Sequence, residues 1–154
     1  MEVKARDGVL RIEAQIEALG TQAQAWQLLT DFERLAEFMP NVDSSRVVSR
    51  TDSSVLVREV VTSQLVRPWT FVFTLEYIPL EPSELRFHQV AGQLKGYEGV
   101  WRLEPRGERT AISYQAQVGY RRVPGFLAAY IVRRQLGRMM PALAAEMQRR
   151  TGGG

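Results

Sequence analysis

The chain has 154 residues, 45% hydrophobic and 24% charged, with a formal net charge of +3, which fits one globular domain with a substantial core. The absence of cysteine excludes disulfides and thiolate chemistry, and a single histidine leaves few ligands for a metal. No apolar run approaches the roughly 18 residues needed to span a bilayer.

Met1–Gly8 is charged and lacks the apolar centre of a signal peptide, so a cytoplasmic location is expected. Leu10–Glu17 alternates apolar and polar residues and reads as a first strand. Gly20 and Thr21 end it, and Thr21 is placed to cap a helix carrying Ala25, Trp26, Leu28 and Leu29. Asp31 is placed to cap a second short helix containing Leu35, Ala36 and Phe38, which Pro40 terminates. Strand candidates then follow at 45–50, 54–66, 69–78, 84–91, 96–104 and 109–120. The breaks between them (Thr51–Ser53, Arg67–Pro68, Pro79–Pro82, Gly92–Lys95 and Pro105–Gly107) are short and rich in turn residues. Breaks of that length imply antiparallel hairpins in a sheet of about seven strands.

A last helix begins at Pro124–Gly125 and repeats Ala129, Val132, Leu136, Met139, Met140, Leu143 and Met147 at helical spacing. Pro141 predicts a bend in it, eased because the residue four positions earlier is Gly137. The order is strand, two short helices, six strands and one long helix. It predicts an α+β domain over 1–151 with a flexible tail at 152–154.

The strand at 69–78 puts Trp69, Phe71, Phe73, Leu75 and Tyr77 on one face, which needs a cover, and the last helix is the natural one. Bulky rings opposite the adaptable Met139 and Met140 leave a gap in which a ligand can sit. Several polar residues break otherwise apolar faces. Glu59 falls in phase with Val55, Val57 and Val61, and Gln89 with Leu85 and Phe87. Tyr97 is in phase with Trp101 and Leu103, and Tyr114 with Ile112 and Ala116. A buried carboxyl is costly, so Glu59 requires a partner, a raised pKa or access to solvent. Glu59, Gln89 and Tyr114 either orient a ligand's oxygen atoms or satisfy one another structurally.

Motif chemistry is otherwise sparse. The chain has no G-x-S-x-G elbow, no phosphate-binding glycine loop and no dinucleotide fingerprint. His88 lies out of phase with Leu85 and Phe87 and reads as a solvated strand residue without metal-ligand partners. No cofactor or metal is expected. Residues 121–154 hold seven arginines against one acid, Glu146. Such a segment either attracts an anionic partner through Arg133, Arg134, Arg138, Arg149 and Arg150 or simply complements a helix end. Leu127, Ile131, Arg134 and Arg138 fall on the outer side of the helix. They mark a possible contact with an anionic membrane surface, a ribosome or a second copy; DNA is not an expected partner.

Two segments carry a resemblance to a known family: Ala25–Val42, and Gly96–Pro105 followed by Thr110–Tyr114. They resemble the START-like superfamily, also called helix-grip or Bet v 1-like, and within it the polyketide cyclase/dehydrase family. Coenzyme-Q-binding START domains and ribosome-association toxin proteins look most similar. The resemblance covers nearly the whole chain and implies a curved antiparallel sheet wrapped around the long C-terminal helix. It implies a cavity between sheet and helix for an isoprenoid quinone or a polycyclic aromatic metabolite, entered near Phe38 and Met39. The cavity wall would draw on Trp69, Phe71, Phe73, Phe87, Tyr97 and Trp101 from the sheet, with Leu136, Met139, Met140 and Leu143 from the helix. Two alternatives stand beside a binding protein. One is an aromatase/cyclase using Glu59 or Tyr114 as acid or base; the other is a ribosome- or RNA-associating protein acting through the C-terminal arginines.

Overall fold

The computed structural model describes residues 1–64, 68–121 and 123–152. Asp7 and Gly8 both adopt positive φ, 53° and 77°, which makes the tight turn joining β1 (Glu2–Arg6) to β2 (Val9–Leu19). After Gly20 comes α1 (Gln22–Leu29), fixed by a reciprocal cap. The Thr21 hydroxyl accepts from the Gln24 N–H at 3.1 Å, and Gln24 Oε1 accepts from the Thr21 N–H at 2.8 Å. A 3₁₀ turn (Phe32–Arg34) leads into α2 (Leu35–Phe38). Then come β3 (Val42–Arg50), β4 (Val55–Gln64), β5 (Pro68–Leu80), β6 (Glu84–Gly92), β7 (Lys95–Arg106) and β8 (Arg109–Gly119). The chain closes with α3 (Gly125–Gly152).

The strands form one antiparallel sheet in the order β1-β2-β8-β7-β6-β5-β4-β3, so this is the α+β helix-grip arrangement. The sheet has eight strands rather than about seven. The additional strand is β1, where Val3 is the one buried residue and the alternation is correspondingly faint. Asp31 also differs from expectation, since its side chain caps no helix. Its Oδ2 instead accepts from Arg150 Nη2 at 2.9 Å, tying the end of α3 to the segment after α1.

The inner face of the sheet holds the core. Val57, Leu85 and Ile112 from the strands meet Leu28 from α1 and Leu143 and Met147 from α3. Helix α3 buries Ala128, Ala129, Leu136, Met140, Leu143 and Met147, with Val132 and Met139 half-buried beside them. It stays helical through Pro141, with open space at Gly137, and includes Gly152, which sequence reasoning had placed in a tail. Gly153 and Gly154 lie outside the described residues, as do Leu65 and Val66 at the end of the expected strand 54–66 and Arg67 at the turn expected after it. The backbone of α3 approaches β1 and β2, and it also meets α1 and α2. Among the described residues no helix is long and apolar enough to cross a membrane.

Gly99 on β7 leaves no room for a side chain beside the aromatic face. A Cβ there would sit 2.4 Å from the Gln115 carbonyl oxygen and 2.6 Å from Phe87 Cζ. The missing side chain is what lets the Phe87 ring lie over the strand. Gly99→Ala should therefore destabilise the fold by about 2 kcal/mol, through overpacking against backbone. Urea unfolding should show a lower midpoint at an unchanged slope.

Candidate functional site

Side-chain alternation along β4 turns Val55, Val57, Glu59 and Ser63 to the inner face, and all four are buried. Glu59 is 6% exposed. The Tyr77 hydroxyl, from β5, donates to Glu59 Oε2 at 2.8 Å. A second buried pair lies along the same face, where the Tyr97 and Tyr114 hydroxyls from β7 and β8 share a hydrogen bond of 2.7 Å. Rings connect the two pairs. Phe32 packs on Tyr77 at 4.6 Å and Tyr77 on Phe87 at 5.9 Å. Phe87 then stacks on Tyr114 at 6.0 Å and meets Tyr97 edge-on at 5.2 Å, while Trp101 closes on Tyr114 at 4.6 Å.

Burial decides the protonation of this cluster. It pushes the Glu59 carboxyl up from 4.5 to about 7, against the opposing pull of the Tyr77 hydrogen bond. Burial likewise raises Tyr77 and Tyr97 well above the ordinary phenol range, and raises Tyr114. The nearby Glu59 charge pushes all three tyrosines the same way. At neutral pH the tyrosines are therefore neutral hydrogen-bonding groups, and Glu59 is the group able to exchange a proton.

The expected site residues separate into three groups. Phe73, Phe87, Trp101 and Tyr114 from the sheet are buried together with Leu136, Met140 and Leu143 from α3. Phe38, Met39, Phe71, Tyr97 and Met139 are half-buried at the margin of that core, and the Arg150 guanidinium lies 5.2 Å over the Phe38 ring. Trp69 and Gln89 stand apart. Trp69 is in phase with the inner face but sits at the start of β5, where it is 57% exposed. Gln89 spends both ends of its amide on the β6–β7 turn, donating to the Leu94 carbonyl at 2.7 Å and accepting the Leu94 N–H at 3.2 Å. It fastens a turn rather than facing a ligand. Sequence reasoning passed over Tyr77 as a polar site residue, although its place in the aromatic run from Trp69 signalled an inward ring. It also missed Gln135, which donates to Ser63 Oγ at 2.8 Å and bridges α3 to β4.

Three arginines of the last segment, Arg133, Arg149 and Arg150, have partners within the chain. Arg133 donates to the Val3 carbonyl at 2.7 Å, and Arg149 and Arg150 both pair with Glu146, whose carboxyl they hold down at about 2. Arg134 and Arg138 line a concavity of about 10 Å³ with Asn41, Ile131 and Gln135. On the outer side of α3, Leu127 and Ile131 are half-buried; the strongly exposed rings are Phe126, at 77%, and Tyr130, at 52%. The opposite face of the sheet carries an open trough of about 530 Å³. Its charged and polar lining is already engaged internally, as in Gln117 to Glu98 at 2.8 Å and Arg102 to Glu84 at 3.2 Å. His88 lies there, 3.3 Å from Glu76. Among the described residues no three His, Cys, Asp or Glu side chains converge as metal ligands.

A long helix gripped by a curved antiparallel sheet, with two short helices after β2, defines the START/Bet v 1-like class. The model of the family described as polyketide cyclase / dehydrase and lipid transport matches residues 21–147, and the chain belongs to that family. Solved structures agree in fold. The Zhui aromatase/cyclase from Streptomyces sp. R1128 superposes with a TM-score of 0.80 at 16% identity, covering 93% of this chain and 96% of that one. A START superfamily protein from Mycobacterium smegmatis gives 0.76 at 18% identity, covering 90% and 97%. A STAR-related lipid transfer protein fragment from Xanthomonas axonopodis gives 0.70 at 16%, covering 96% and 98%. No curated protein matches the chain at a significant level.

The raised Glu59 pKa predicts a stability profile. The folded state holds the proton between pH 4.5 and about 7, where the unfolded chain releases it. Stability from this group is thus complete below pH 4.5 and falls as pH rises toward 7, by on the order of 3 kcal/mol. Glu59→Gln should flatten that slope when unfolding is followed across the same pH range.

Proposed function

We propose that the chain, acting as one domain over residues 1–151, binds a hydrophobic, ring-bearing small molecule between the inner sheet face and α3. The observation that carries this reading is the pair of buried polar bridges, Glu59–Tyr77 and Tyr97–Tyr114, in an aromatic wall. Neither bridge is needed to tie elements together. Strands β4 and β5 already pair along their length, as do β7 and β8. Desolvated polar groups without a structural task are what a site uses to orient a ligand within an apolar enclosure. Apolar contact with Phe73, Phe87, Leu136 and Met140 would supply the affinity, at roughly 25 cal/mol per Å² before entropic losses. The ligand class is an isoprenoid quinone or a polycyclic aromatic metabolite, whose ring oxygens match the hydroxyl and carboxyl groups on this face. Similarity to an aromatase/cyclase and to a lipid transfer protein supports both the site and this class.

A second reading, an aromatase/cyclase-type enzyme, has one observation in its favour. A carboxyl held at about 7 is matched to proton transfer near neutral pH, which a passive carrier does not require. Glu59 would then be the acid or base, and Tyr114 a neutral donor to a developing oxyanion.

Native mass spectrometry of protein purified from its source organism, followed by extraction of the bound molecule, tests both readings. A carrier should hold a stoichiometric hydrophobic ligand that is lost in Phe71→Glu, a half-buried position where a charge can reach water. A carrier should keep the same molecule in Glu59→Gln, because the amide mimics the protonated carboxyl. A different mass extracted from Glu59→Gln, marking an unconverted precursor, would establish the enzyme instead. An empty wild-type protein overturns tight binding.

A further inference from the structure

Strand β3 brings one more polar group to the inner face. Ser45 stands directly opposite Glu59 in the β3–β4 register, and paired residues project from the same side of a sheet. Its hydroxyl is sealed from solvent, and among the described residues it is the one buried side-chain nitrogen or oxygen without a hydrogen-bond partner. Buried hydroxyls are almost always paired, because leaving one unmade forfeits its hydration with nothing in return. Glu59 has capacity to spare as well. Its Oε2 accepts from Tyr77, and among the described residues no donor reaches its Oε1. Side chains directly opposite across an antiparallel pair lie about 5 Å apart at Cβ, so one further oxygen can bond both. The Phe32 ring, packed on Tyr77, adds an aromatic surface beside the pair.

We infer that Ser45 and Glu59 form a two-point clamp for a hydroxyl or carbonyl oxygen on an aromatic ring of the ligand, with Ser45 setting the preference for oxygenated over bare rings. This rests on the binding reading above. The Ser45 hydroxyl can donate or accept, and a protonated Glu59 can do either, so the clamp fits a phenol as well as a quinone carbonyl. A ring oxygen bound between the two would give the Ser45 hydroxyl its hydrogen-bond partner.

The test uses a matched pair of probes, 2-naphthol and 2-methylnaphthalene, which differ by a hydroxyl in place of a methyl. Binding to wild type, Ser45→Ala and Ser45→Thr is measured by titration calorimetry. Wild type should prefer 2-naphthol. Ser45→Ala should weaken 2-naphthol by about fivefold to tenfold and leave 2-methylnaphthalene within about twofold, as expected for one neutral hydrogen bond. Ser45→Thr, which keeps the hydroxyl, should retain the preference. Thermal unfolding of Ser45→Ala should show no loss of stability, because an unpaired buried group has been removed; a hydroxyl with a structural role would give a clear loss. Equal weakening of both probes, or of neither, overturns the clamp while leaving the binding site intact. Failure of wild type to bind either probe overturns the binding reading on which the clamp rests.

Discussion

Removing one broad apolar sheet face from water, with a single long helix as the main cover, is the constraint that organises this molecule. The cover is unequal across the sheet. Over β1 and β2 the helix backbone comes close, and the buried residues are aliphatic: Val3 on β1, Leu10, Ile12, Ala14 and Ala18 on β2, Ala128 and Ala129 on α3. Toward β5, β6, β7 and β8 the inner face carries Phe73, Tyr77, Phe87, Trp101 and Tyr114 instead. The polar groups Glu59, Tyr77, Tyr97 and Tyr114 gather on the side of the face that carries the large rings.

A partner on the neighbouring strand explains how a carboxyl is tolerated in the interior. Glu59 sits where rings rather than backbone define the surroundings, and one hydrogen bond from Tyr77 offsets part of its desolvation. A core selected for stability alone would place valine there, in step with Val55 and Val57. The departure from the local pattern is what singles Glu59 out as a candidate site residue.

Much of this was legible in the sequence because it depends on neighbours a few residues apart. The alternation of β2 and β4 through β8, the Thr21 cap, the α3 stripe and the outlying Glu59 all follow from local period. What was not legible depends on partners distant in the chain or on where a face ends. Asp31 looked like a helix cap and instead meets Arg150, a residue 119 positions away. The C-terminal arginines left a basic patch and a solvated helix end both open, and the partners that engage three of them, Glu146, Asp31 and the Val3 carbonyl, are not visible in local sequence. Trp69 has the correct phase, but phase cannot say that β5 is still exposed at its start and becomes buried only from Phe73 onward. Gln89 was in phase too, and only the geometry of the β6–β7 turn shows where its amide is spent. Strand β1 was missed because one buried valine makes no rhythm, although Asp7–Gly8 is a strong hairpin signal.

The strand order has a kinetic consequence. Strand β2 is flanked by β1 and β8, so Ile12 pairs with Ala116 and Ile16 with Ile112, positions separated by about two thirds of the chain. During synthesis the β1–β2 hairpin must wait, one edge unpaired, while the meander from β3 to β8 is made. Closing so long a loop is slow compared with forming the local hairpins in between. The apolar face stays open to water until then, and α3, which shields it, is made later still. Arg11, Glu13, Gln15 and Glu17 stud the outward side of the waiting strand, and charges on an exposed edge discourage pairing with another chain. The period of greatest exposure to misassembly thus falls at the end of synthesis, and the charges on β2 are in place before it begins.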